Sequence, residues 1–264
     1  MNEIGKLFTY ISEQWMFPVG TFIIIFLIIF LAKNISVQKK NIVTIFLGSL
    51  FLLVEIGMHI LHVYDMYLNE GKKILIDYPQ DYLPLHLCSI TLFISIYLLF
   101  SRKQWAFEMA LFIGLPTALH PIFTPQVVHE GNILLHKFHT FFWHGSLVFI
   151  PLYAIFVLNM WPRTKAVFYC FGRFQIIGFS VLFVNLFLRY IYGQDMIGPD
   201  GANYMFLNNV AELQAVGNML IPEKGHWLST FPAYVVLFDL YVLAHGLIIG
   251  IPFWIKKIII KMKL

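Results

Sequence analysis

The chain has 264 residues, of which 59% are hydrophobic, 17% aromatic and only 12% charged, and its mean hydropathy is +0.75. These values exclude an ordinary soluble enzyme, because nearly charge-free apolar stretches of about 18 or more residues recur along the chain. The formal net charge of +4 needs no nucleic-acid partner, since the basic residues gather in short connections between apolar stretches. We therefore expect one all-α, polytopic transmembrane domain over residues 1–264.

The first predicted element is an amphipathic helix over residues 1–15. Its apolar residues recur on one helical face, which is typical of a helix lying flat on the membrane surface. Seven membrane spans follow in a predicted seven-helix bundle, near residues 17–31, 42–64, 83–100, 105–123, 138–158, 167–192 and 231–251.

The lysines and arginines of the short connections predict the orientation of the bundle. They are concentrated after the first, third and fifth spans and in the C-terminal tail, and the positive-inside rule makes that side cytoplasmic. The N-terminus is then outside and the C-terminus inside a plasma membrane. The basic residues concerned are Lys33, Lys39, Lys40, Arg102, Lys103, Arg163, Lys165, Lys256 and Lys257.

Polar side chains on six of the predicted spans fall in or near the outer half of the membrane. Glu55, His59 and His62 of the second span share an arc of about 60°. An ionisable side chain near the bilayer centre costs about 2.5–3.5 kcal/mol, so it normally faces the bundle interior. The set predicts an outward-facing polar cavity, or else a set of helix-packing hydrogen bonds. Its other members are His86, Cys88, His120, His144, Asn185, Arg189 and Asp239.

Two local patterns bear on the third and fifth spans. Pro84 predicts the start of a helix, because proline is tolerated in a first turn. His86 and Cys88 would then point about 200° apart on a regular helix and could not share one cavity. In the fifth span Gly145 follows His144, and a glycine there permits the close approach of another group.

Three kinds of chemistry can be built from these residues. The first is acyl transfer, with a histidine as general base and Cys88 as nucleophile. The second is metal chemistry: Glu55, His59 and His62 are zinc ligand types, so zinc is the possible cofactor, although no cofactor is expected. The third is transport or sensing, with the polar cluster as a substrate or proton site.

Three stretches resemble a known family when taken in order: Leu83-Pro84-Leu85-His86-Leu87-Cys88, Phe142-Trp143-His144-Gly145, and Asn203-Tyr204-Met205-Phe206-Leu207. They are similar to the YwaF/TMEM164 family of integral membrane proteins. The resemblance implies a cysteine-dependent acyltransferase of phospholipids, with a catalytic histidine that matches His144. In the family pattern the cysteine is adjacent to the histidine that matches His86, where this chain has Leu85. Either Cys88 replaces that cysteine from one turn further on, or the thiol nucleophile is absent.

The resulting hypothesis is a membrane acyltransferase or lipid hydrolase that acts on outer-leaflet phospholipid or lipid-anchored substrates. His144, His86 and Cys88 are the predicted catalytic residues. The alternatives are a non-enzymatic transporter or sensor and a metal-dependent, ceramidase-like hydrolase. The predicted supporting residues are Glu55, His59, His62, His120, Asn185, Arg189, Tyr204 and Asp239.

Overall fold

The computed structural model describes residues 3–69, 83–123, 133–193, 204–206 and 233–262, and every regular element in these ranges is helical. The α-helices are α1 (Glu3–Lys33), α2 (Val37–Asn69), α3 (Leu87–Ser101), α4 (Gln104–Met109), α5 (Leu115–Phe123), α6 (Ile133–Phe156), α7 (Ala166–Ile191) and α8 (Ala233–Met262). A π-helical segment, Ala110–Gly114, joins α4 to α5 in one rod, and a 3₁₀ turn covers Tyr204–Phe206.

These helices agree with the predicted class. With the α4–α5 rod counted once, the described residues contain seven helical rods, one at each predicted span. Three contain segments that are long and apolar enough to cross a membrane by themselves: Val37–Leu61, Ala166–Ile191 and Val235–Ile260. The all-helical class is confirmed, whereas seven crossings, their direction and a single domain stay predictions.

The bounds of α1 and α8 differ from those of the predicted elements. α1 is continuous from Glu3 to Lys33, so the interfacial helix over residues 1–15 is not a separate element. Nothing near residue 16 stops the helix, and Pro18 is accommodated within it although its missing N–H leaves one helical bond unmade. α8 continues to Met262 rather than ending near residue 251, because the isoleucines and lysines beyond that point are compatible with a helix.

The two faces of α7 show how the chain meets its surroundings. Asn185 and Arg189, one turn apart, are both completely buried. A row of large apolar side chains with helical spacing is exposed, and in water it would be an aggregation-prone patch. A helix with its polar residues inside and its apolar residues outside is suited to lipid. The exposed row consists of Ile176 (68%), Phe179 (71%), Phe183 (72%) and Phe187 (54%).

The chain divides into two compact units, with the boundaries inside α2 and α3. Unit 1 comprises Met1–Leu53 and Leu92–Trp161. Its centre is the α4–α5 rod, in which residues 106–114 are all buried. This stretch is apolar all round apart from Glu108, as expected for a helix enclosed by others. The α1 and α5 helices both pack against α6.

The packing of α1 against α6 depends on Gly145. A Cβ atom at this position would lie 2.7 Å from the Thr21 Cγ2 atom, closer than real carbon atoms approach. The predicted close approach at Gly145 is therefore confirmed, and the approaching group is Thr21 of α1.

We expect Gly145→Ala to lower the free energy of unfolding by about 1–3 kcal/mol, because Thr21 is β-branched and cannot turn away freely. Thr21→Ser removes the obstructing methyl group and should restore part of the loss in the double variant. Thermal unfolding in detergent measures both effects. Gly178→Ala is the matched control, since nothing lies within 4 Å of its added methyl group. Wild-type stability of Gly145→Ala would contradict this packing.

Unit 2 comprises Val54–Thr91 and Pro162–Leu264. Within it α7 packs against both α8 and the 3₁₀ turn. Phe174 of α7 contacts Phe238 of α8, with 6.2 Å between ring centroids. The second half of α2, the segment before α3 and the first turn of α3 also belong to this unit.

The predicted orientation can be tested by labelling single cysteines introduced into a Cys88→Ser/Cys170→Ala background. Cysteines at Lys40 and Arg163 should react with a membrane-impermeant maleimide only after the cells are opened. Each position follows a span that is predicted to run from the outer to the inner face, so both should be cytoplasmic. A cysteine at Asn218 should react in intact cells. Labelling of position 40 in intact cells would reverse the orientation.

Candidate active site

A group of polar contacts in unit 2 is centred on Tyr204, which is completely buried. Asn185 of α7 holds the backbone of Tyr204 from both sides. Its Nδ2 donates to the Tyr204 carbonyl at 2.9 Å, and its Oδ1 accepts from the Tyr204 N–H at 3.0 Å. This two-point contact fixes the 3₁₀ turn, in which Met205 has a left-handed φ of 56°.

The Tyr204 side chain extends this contact to the segment before α3. Its hydroxyl oxygen accepts a hydrogen bond from the Leu83 N–H at 3.1 Å. Leu83 in turn accepts from the Leu85 N–H at 2.8 Å, which closes a three-residue γ-turn around Pro84. We call Leu83, His86, Asn185 and Tyr204 the Tyr204 cluster.

The γ-turn corrects the predicted start of the third span. α3 begins at Leu87 rather than at Pro84, because Pro84 is occupied in the γ-turn. His86 immediately precedes the helix, and its carbonyl accepts the Ile90 N–H at 3.0 Å. Its side chain is therefore not bound by helical periodicity, and the argument that His86 and Cys88 must point 200° apart does not apply.

His86 lies against the tyrosine of the cluster. The two rings meet edge to face, with 5.4 Å between centroids and an interplanar angle of 65°. This is a favoured arrangement for aromatic pairs. The contact brings together residues from two of the stretches that carry the family resemblance.

Cys88 is in the first turn of α3 and is partly exposed. The Glu55 carboxyl lies within electrostatic range of its sulfur, and as a carboxylate it would disfavour a thiolate there. N–H groups in a first turn have no helical acceptor, so they are available to a thiolate or to an oxyanion. Thr91 closes the turn by donating to the Leu87 carbonyl at 2.7 Å.

The other predicted supporting residues have different surroundings. Arg189 shares a face of α7 with Asn185 but has no exposed surface, so in this structure its guanidinium is not open to a lipid headgroup. His59 is partly exposed on α2. Asp239 of α8 lies beside the Gln175 side chain of α7. The side chains of His62 and His120 lie outside the described residues.

His144 belongs to unit 1 and is 8% exposed. Its Nδ1 is 2.8 Å from the Thr140 carbonyl oxygen, so Nδ1 carries the proton and Nε2 is left as the basic nitrogen. The Trp143 ring stacks beside it at 5.7 Å. His245 of α8 makes the same contact with Tyr241, at 2.9 Å. The hydrogen bond is therefore a local property of a helical histidine and is not by itself a sign of catalysis.

The comparisons with known proteins bear on the whole chain. A scan against protein families matches residues 8–249 to the TMEM164 family. The chain belongs to the TMEM164 family. No curated protein and no solved structure matches it. The resemblance carried by the three short stretches is thus confirmed over most of the sequence.

The residues of the Tyr204 cluster come from separated parts of the chain. His86 and Tyr204 belong to two of the stretches that carry the resemblance, and Asn185 lies in α7, between those two stretches in the sequence. Sequence reasoning missed the Leu83 N–H and the γ-turn, because backbone groups leave no mark in residue identity. It also missed Gln175, although a polar residue inside an apolar span is a signal that the sequence shows.

The zinc hypothesis for this member of the TMEM164 family rests on Glu55, His59 and His62. Among the described residues, no group of three or more histidine, cysteine, aspartate or glutamate side chains could hold a metal ion. The side chain of His62 is outside that set, so the hypothesis stays a prediction.

Proposed function

We propose that this protein is an acyltransferase or lipid hydrolase that acts on the ester bonds of outer-leaflet phospholipid or of lipid-anchored substrates in the plasma membrane. Family membership supports a membrane protein whose apolar faces contact lipid. The reacting group is the thiol of Cys88. The substrate is a phospholipid or lipid-anchored molecule of the bilayer, and no nucleic acid is involved.

One observation carries the proposal. Cys88 is partly exposed in the first turn of α3, two residues after His86, whose ring Tyr204 contacts edge to face. A thiol becomes nucleophilic where an imidazole can take its proton and where N–H dipoles stabilise the thiolate. His86 is two residues before Cys88, and the N–H groups in the first turn of α3 are suited to stabilising a thiolate or a carbonyl oxyanion.

The reaction would proceed in two steps, the formation of a thioester and its cleavage. An imidazole takes the thiol proton, the Cys88 sulfur attacks the ester carbonyl carbon, and the carbon–oxygen bond breaks. The departing lysophospholipid oxygen receives that proton, and the acyl group remains on sulfur as a thioester. A second lipid hydroxyl, or water, then gives its proton to the imidazole and attacks the thioester. The carbon–sulfur bond breaks, and the departing sulfur receives that proton, which restores the thiol.

Two histidines are proposed for the proton transfers. His86 is assigned to the thiol, because it directly precedes α3 in the same unit. His144 is proposed as a second general base on the family resemblance, with its Nε2 as the accepting atom. The assignment of His86 does not depend on that of His144, because the two residues can be substituted separately.

The experiment uses the purified protein in nanodiscs of phosphatidylcholine that carries a labelled acyl chain, with lysophosphatidylethanolamine as acceptor. The expected products are lysophosphatidylcholine and labelled phosphatidylethanolamine, or labelled free fatty acid if water is the acceptor. Nanodiscs without protein are the blank. Phospholipid that stays intact under all acceptor conditions would contradict the proposal and favour a transporter or sensor.

A further inference from the structure

The geometry points to Asn185 and Tyr204 as positioning residues for His86, rather than as groups that bind substrate. This inference deepens the proposed function, because it concerns His86, the histidine two residues before Cys88. Both residues are completely buried, so neither presents a surface to a lipid. What they do present is a continuous series of contacts that ends at His86.

The series begins at the amide of Asn185. A carboxamide has one acceptor oxygen and a donor nitrogen, and here both are used on the backbone of Tyr204, at 3.0 and 2.9 Å. Among the twenty side chains only asparagine and glutamine carry this pairing. Because the contact is to backbone, it sets the position of Tyr204 whatever the turn's other side chains are.

The contact also stabilises a backbone that would otherwise be unfavourable. Met205 has a φ of 56°, in the left-handed region that a non-glycine residue rarely adopts. Met205 is 3% exposed. The two bonds from Asn185 compensate for this conformation, and the conformation aims the Tyr204 ring toward the segment before α3.

The series continues through the side chain of Tyr204. Its hydroxyl oxygen accepts from the Leu83 N–H, and its ring meets the His86 imidazole edge to face. Leu83 is the first residue of the γ-turn and His86 directly follows its last residue, Leu85, so one tyrosine contacts the chain at the start of the turn and just after it. The position of His86 relative to the first turn of α3 is thereby fixed from α7.

A graded set of variants tests this inference. Asn185→Leu removes both bonds to Tyr204, whereas Asn185→Asp keeps the acceptor for the Tyr204 N–H. Tyr204→Phe keeps the ring against His86 and removes the acceptor of the Leu83 N–H. Tyr190→Phe is the matched control, because Tyr190 is on the same helix and is 77% exposed.

The readout is the ring-proton NMR signal of His86 in protein labelled with ¹³C-histidine and assigned by its loss in His86→Gln. An edge-on tyrosine shifts the signals of a neighbouring imidazole. Asn185→Leu should move the His86 signal toward that of free histidine, Asn185→Asp should move it less, and Tyr190→Phe should leave it in place. In the acyl-transfer assay Asn185→Leu should lower kcat roughly ten- to a hundred-fold with KM nearly unchanged.

The outcomes separate this inference from the proposed function. A shifted His86 signal without acyl transfer by the wild type would retain the positioning role and overturn the enzyme. Acyl transfer by the wild type with an unmoved His86 signal in folded Asn185→Leu would overturn the positioning role alone. If Asn185→Leu does not fold, Asn185→Asp decides: an unmoved signal and a wild-type kcat would overturn the inference.

Discussion

Replacement of Cys88 by serine should lower the rate of acyl transfer by about 10³-fold or more. A serine hydroxyl is a far weaker nucleophile than a thiolate unless a strong base activates it. The substitution exchanges one sulfur for one oxygen at a partly exposed position, so folding should be little affected. The nanodisc assay measures the rate, and thermal unfolding in detergent checks the fold.

Cys170→Ala is the control for the loss of a thiol. Cys170 is buried in α7, and no role in the reaction is proposed for it, so activity should remain close to that of the wild type. Full activity of Cys88→Ser would transfer the nucleophilic role to water or to a bound hydroxyl. The protein would then lack a thioester intermediate.

The second large effect is expected for His144→Ala, which should lower the rate about 10²- to 10⁴-fold if His144 is a general base. The Thr140 carbonyl is inside α6 and keeps its helical N–H donor when the imidazole is removed. Because His144 is buried, its truncation should also cost about 1–3 kcal/mol of stability. His144→Gln fills more of the space and should be equally inactive but more stable.

His245→Ala is the matched control, since His245 makes the same hydrogen bond to a carbonyl four residues earlier in a helix. Loss of activity in His144→Ala but not in His245→Ala assigns the effect to catalysis. Equal activity of the two variants, or a His144→Gln protein that is fully active, would make His144 a structural residue.

The sequence predicted the helical class because membrane spans leave a strong signal: about 18 or more apolar residues with almost no charge. It also predicted that Asn185 and Arg189 face inward, since both are buried on one side of α7 while phenylalanines cover the other. The sequence also predicted a close approach at Gly145, because only the absence of a side chain permits Thr21 to come so near.

The start of α3 could not be predicted in the same way. Pro84 is acceptable both in a first helical turn and in a γ-turn, and the choice is made by Tyr204, which binds the Leu83 N–H from more than a hundred residues away. The predicted angular separation of His86 and Cys88 fails for the same reason, because α3 begins only at Leu87 and His86 lies outside the helix. Tertiary contacts to backbone groups therefore limited the prediction of this site.

Peptide mass spectrometry of the digested protein tests the central claim most directly. Wild-type protein would be incubated with labelled phospholipid without an acceptor, quenched in acid, digested and examined for an acyl group on Cys88. The account predicts an adduct of the mass of the labelled acyl chain at Cys88, released by neutral hydroxylamine and absent from Cys88→Ser. Turnover of phospholipid with Cys88 unmodified at every time point, or an adduct on a different residue, would contradict it.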